Sequence, residues 1–72
     1  MKPLSWKYKS IQRHEYKDKV IELFEWSGNA YVRVYGTGEN FVDVITTLDI
    51  DKATYVYNLT IELFKGVEKI EV

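Results

Sequence analysis

Apolar and polar residues alternate through three consecutive stretches of this 72-residue chain, and then the rhythm changes. Lys19 to Trp26 is rich in branched and aromatic residues and stops at Ser27-Gly28-Asn29, a turn-forming cluster, so it predicts a strand entering a hairpin. Ala30 to Tyr35 alternates cleanly, with Ala30, Val32 and Val34 on one face and Tyr31, Arg33 and Tyr35 on the other. Gly36 to Asn40 reads as a second turn, after which Phe41 to Thr46 resumes the alternation with Val42 and Val44 facing inward and Asp43 sharing the outer side with Phe41 and Ile45.

From Asp51 to Gly66 the period lengthens. At about 100° per residue, Leu59, Leu63, Val56, Thr60, Ala53, Phe64, Tyr57 and Ile61 share one arc, with Thr54, Tyr55, Asn58, Glu62 and Lys65 opposite. Asp49 and Asp51 supply N-cap candidates, Lys65 suits the last turn and Gly66 suits a left-handed C-cap, which predicts a helix over about residues 51–65. Val67 to Val72 alternates again and reads as a short terminal strand. Ser5 to Arg13 reads as a first strand, with Trp6, Tyr8 and Ser10 on one side, although its lysines also suit a frayed arm. The expected fold class is α+β: a two-layer domain with an antiparallel sheet of three to five strands and one amphipathic helix packed on one face.

One helix covers one face of such a sheet. If it takes Val32, Val34, Val42 and Val44, the other face presents Tyr31, Arg33 and Tyr35, with Phe24 and Trp26 beside them and Trp6 or Tyr8 at their flank. Aromatic rings around a guanidinium give large contact area at low entropy cost with a polar edge, as binding surfaces do. The candidate partner-binding residues are therefore Trp6, Tyr8, Arg13, Tyr31, Arg33 and Tyr35. Tyrosine and arginine also cover solvated sheets well, so this reading stands beside a plainer one in which the face simply meets water.

Charge sharpens the picture. Six of ten cations lie in the first nineteen residues against only Glu15 and Asp18, a balance of +4, and the rest of the chain carries four cations against nine carboxylates, −5, so the net −1 hides a segregated surface. A chain of this length has room for a single domain, residues 1–72, in which residues 1–19 form the basic segment. With no cysteine to form disulfides and no cluster of metal ligands, packing or self-association must stabilise its small core. No apolar run approaches a membrane span or a signal-peptide core, which predicts a soluble, cytoplasmic protein with no membrane partner. Asn58-Leu59-Thr60 matches a glycosylation sequon, but it falls within the predicted helix.

Catalytic signatures are absent. His14 is the only histidine and sits in a charged run; no serine has a nucleophile motif around it; Asp49-Ile50-Asp51 lacks the glycine and distal glutamate of a calcium loop; Gly36-Thr37-Gly38 lacks the third glycine of a dinucleotide fingerprint. No enzyme, cofactor or metal is expected. The sequence points instead to a small protein-binding module, a regulator, adaptor or inhibitor, homodimerising through the aromatic face or the terminal edge strand; an origin in a phage or other mobile element fits so small a chain. The alternative is single-stranded nucleic-acid binding, in which Trp6, Tyr8, Tyr31 and Tyr35 stack bases while Lys7, Lys9, Arg13 and Arg33 track phosphates. A pI near 5.7, and the carboxylates of Glu22 and Asp43, oppose that alternative.

Overall fold

A computed structural model describes residues 3–36 and 40–70 of the chain, with side chains described as far as residue 66. Four antiparallel strands, β1 (Lys9–Tyr16), β2 (Lys19–Trp26), β3 (Asn29–Gly36) and β4 (Phe41–Thr47), pair in the order of the sequence, and one helix, α1 (Ile50–Ile70), follows them. The first hairpin turns at Lys17-Asp18, with Lys17 in the left-handed region at φ 54°. The second turns at Ser27-Gly28, where φ values of 53° and 78° give the turn whose twist matches the flanking strands. The expected turn at Gly36 to Asn40 falls largely on residues 37–39, outside the described residues.

The core lies between sheet and helix. Ile21 and Leu23 of β2 and Ala30 and Val32 of β3 project to one side, where Ala53 and Tyr57 of α1 close over them, and Leu4, Val34, Ile45, Ile50, Val56, Ile61 and Phe64 pack around this centre. Asp49 is the N-cap: its Oδ1 accepts the amides of Asp51 at 2.9 Å and Lys52 at 3.3 Å, and its carbonyl accepts the amide of Ala53 at 3.1 Å. Asp51 sits in the first turn, where a carboxylate favours the helix dipole. Thr60 is tolerated in the buried stripe because its hydroxyl donates to the carbonyl of Val56 at 2.8 Å.

The α+β expectation holds, and four details of it are corrected. β1 begins at Lys9 rather than Ser5 and runs to Tyr16. A bulge at Ile11 separates the pairs Ser10–Phe24 and Gln12–Leu23, while residues 5 and 6 are tied by backbone bonds to the β2–β3 turn: the amides of Ser27 and Gly28 donate to the carbonyls of Trp6 and Ser5 at 3.1 and 3.0 Å. A second bulge in β4 lets Val32 pair with Ile45 and Arg33 with Asp43. Ile45 thereby moves from the outer side to the core, and Val44 is the extra residue.

Val42, 65% exposed, and Val44 do not lie under the helix. α1 starts at the β4 edge and crosses diagonally, so that Phe64 reaches Tyr16 of β1 in an edge-to-face contact at 5.9 Å and the start of β4 stays bare. The helix touches the sheet along Ala53, Tyr57, Thr60 and Phe64, which leaves Leu59 and Leu63 exposed rather than buried. Finally, the terminal strand does not form: α1 continues through Gly66 to Ile70, and residues 71 and 72 lie outside the described residues. Val67 and Ile70 are three apart, a helical spacing, and a mid-helix glycine costs only about 1 kcal/mol, too little to stop a helix of this length.

Candidate functional site

The uncovered face of the sheet carries its own packed layer of side chains. Alternation along β2 and β3 puts Glu22, Phe24 and Trp26 beside Tyr31, Arg33 and Tyr35, with Glu22 directly opposite Arg33 and Phe24 opposite Tyr31. Phe24 stacks on Tyr31 with ring centres 4.9 Å apart and planes 4° from parallel, and Tyr8 leans on Phe24 from the other side at 5.4 Å. Hemmed in this way, Phe24 is only 3% exposed without any second layer above it.

Glu22 is the least expected member. A glutamate on an open sheet face is ordinarily solvated, yet this one is 5% exposed. Its carboxylate accepts the hydroxyl of Tyr8 on one oxygen and that of Tyr35, at 3.2 Å, on the other. The donors leave their mark on the phenols. The bond to Glu22, followed by burial, raises Tyr8 above the ordinary tyrosine value; burial, followed by the Glu22 charge, raises Tyr35, against the opposing pull of Arg13 and Arg33.

Arg33 is held on three sides. Its Nε donates to Asp43 Oδ1 at 2.6 Å and one terminal nitrogen to Oδ2 at 3.3 Å, while the guanidinium lies 4.0 Å from the ring centre of Phe41 and 5.0 Å from that of Phe24. The hydrogen bond to Asp43 holds its proton more firmly still. The register that pairs Tyr35 with Phe41 and Val34 with Val42 sets Asp43 directly opposite Arg33, just ahead of the bulge. Together Tyr8, Glu22, Phe24, Trp26, Arg33, Tyr35 and Phe41 line an open depression of about 570 Å³.

Of the six residues expected at a partner surface, Tyr8, Arg33 and Tyr35 meet in this depression. Tyr31 stands behind Phe24 and supports it by stacking. Arg13 faces Glu22 across β1 and β2 but is exposed, its terminal nitrogen 3.7 Å from Glu15 Oε1. Trp6 lies apart from the depression, against the β2–β3 turn, where a Cβ added to Gly28 would meet its ring at 3.3 Å. Glu22 and Phe41 are the members that the sequence reading did not place at the site. The outer-face alternation of β2 is the signal that could have found Glu22.

No known protein family, no curated protein and no solved structure matches this chain. Among the described residues, no group of acidic, histidine or cysteine side chains is placed to hold a metal, and no helix is long and apolar enough to cross a membrane.

Proposed function

We propose that this chain is a protein-binding module, acting by contact rather than by catalysis, and that its open sheet face receives a basic side chain, lysine or arginine, from the partner protein. The observation that carries the reading is the buried Glu22 carboxylate at the floor of an aromatic depression. A carboxylate offers about four acceptor positions and Glu22 uses two, for Tyr8 and Tyr35, which leaves acceptor capacity facing the depression. With Arg33 paired to Asp43 and Arg13 to Glu15, the Glu22 carboxylate has no ion-pair partner among the described residues, so an incoming cation is favoured. Tyr8, Trp26 and Phe41 stand exposed around the rim, supplying aromatic walls over which a cation and its aliphatic stem can lie. The same geometry weighs against a phosphate chain. Arg33 and Arg13, the arginines of this face, already have carboxylate partners, and Glu22 lies where a backbone phosphate would have to approach.

The test is selection of random peptides on the immobilised protein, followed by titration of the selected peptides and of a single-stranded oligonucleotide against the tryptophan fluorescence of a Trp6→Phe background, in which Trp26 is the one emitter. Enrichment of lysine or arginine, with binding lost in Glu22→Gln while the circular dichroism is unchanged, is the expected outcome. Selection of acidic or purely apolar peptides, or tighter binding of the oligonucleotide than of any peptide, refutes it.

A further inference from the structure

The helix carries a second unpartnered surface, on the side away from the sheet. Lys52, Tyr55, Leu59, Glu62 and Gly66 follow one another at alternating steps of three and four residues, the spacing of a coiled-coil seam, and Leu48 stands exposed in the bend just ahead of the cap. Tyr55 and Leu48 are 67% and 71% exposed and Leu59 is 46% exposed, so the described residues leave all three open to a partner. Lys52 and Glu62 lie in the seam, yet among the described residues neither side chain has an ion-pair partner. Gly66 is equally unexplained by its own chain: a Cβ built there meets nothing within 4 Å, and its backbone is helical.

These features complement one another when one copy of the helix is turned end for end against a second. With the two-fold axis level with Tyr57, Tyr55 lies opposite Leu59 and Lys52 opposite Glu62, each pair occurring twice, and Gly66 falls level with the bend ahead of the partner's cap, which carries Leu48. The open space at Gly66 then leaves room for that bend of the partner to approach. A parallel pairing would instead set Lys52 against Lys52 and Glu62 against Glu62, so the charges select the antiparallel arrangement.

We infer that α1 is the dimerisation element of this protein and that its occupant is a second copy, docked antiparallel through the seam from Lys52 to Gly66. The seam lies on the opposite side of the molecule from the Glu22 depression, so the dimer leaves two such depressions free, and the inference does not rest on what they bind.

Sedimentation equilibrium over a range of concentrations tests it. The parent chain is expected to dimerise, and Lys52→Glu and Glu62→Lys are each expected to weaken association about tenfold or more, since each turns two attractive pairs into repulsive ones. The double variant, and an equimolar mixture of the two single variants, restore association, because in both the opposite charges face each other again. Gly66→Leu is expected to weaken the dimer without loss of helical circular dichroism. A monomer at every concentration up to about 1 mM, a dimer indifferent to the charge reversals, or single-variant defects that neither the double variant nor the mixture repairs, would each overturn the inference.

Discussion

Four consecutive residues of β2 are buried, Ile21, Glu22, Leu23 and Phe24, although neighbours point to opposite faces of the sheet. Ile21 and Leu23 are covered by α1, a whole element laid across them. Glu22 and Phe24 reach almost the same burial beneath side chains alone, from Tyr8, Tyr31, Arg33 and Tyr35. The two kinds of cover have different consequences. Under the helix water is excluded by apolar packing, and the residues are aliphatic or small. On the open face the cover is lateral, a carboxylate can be kept because phenols satisfy it, and the surface above remains accessible to another molecule.

The largest effects should come from truncating one residue on each face. Leu23→Ala should cost about 3 kcal/mol in denaturant unfolding, the transfer and cavity terms of a fully buried leucine. Phe24→Ala should cost about as much, roughly 3 kcal/mol, if side-chain cover buries as effectively as the helix does. A cost under about 1 kcal/mol would break the comparison and reduce the open face to a decorated surface. Gly28→Ala, at the turn joining the two strands that build both faces, should cost about 1–2 kcal/mol, because φ is 78° there and the Trp6 ring lies against the added methyl. A shift of tryptophan emission in that variant that disappears when Trp6 is replaced by phenylalanine would report the ring's displacement.

The smallest effect is also the most specific. Glu22→Gln should cost about 1 kcal/mol at neutral pH and should change the alkaline limb of stability. Tyr8, Tyr35 and Tyr57 are all raised above 10.0 in the folded protein. The unfolded chain therefore releases these protons first, and their contribution, complete below about pH 10, is lost as pH climbs through the raised values. In Glu22→Gln, Tyr8 should fall back furthest, because the Glu22 bond is its largest cause. Tyr35, raised first by burial, should fall less, and Tyr57, raised by burial between α1 and the sheet, should not move. Phenolate absorbance across a pH titration, assigned with single Tyr→Phe variants, checks the order.

The strands from Lys19 to Thr46 and the start of the helix were legible because each is dictated locally. Ala30 to Tyr35 alternates without exception, and Asp49 caps whatever helix follows it. What could not be read depended on pairing. No alternation within Phe41 to Thr47 announces that Val44 is an extra residue, since the bulge exists only relative to β3; Ile45 leaves the outer side for the core for that reason, while Asp43 keeps its expected place with Phe41. The diagonal course of α1, which bares Val42 and Leu63, is a property of the packed layers and not of the helix's own apolar arc. At the site, Tyr8, Arg33 and Tyr35 were legible as aromatic and basic residues on one face. The burial of Glu22 was not, because its cover is assembled from two distant parts of the chain, the segment ahead of β1 and β3.

The sequential strand order bears on how the protein is made. Each strand pairs with the one synthesised just before it, so the sheet can assemble by short-range hairpin closures while the chain is still emerging. Its aliphatic face, Ile21, Leu23 and Val32, stays bare until the ribosome has delivered α1, and the nascent chain is at its most adhesive just before that helix arrives.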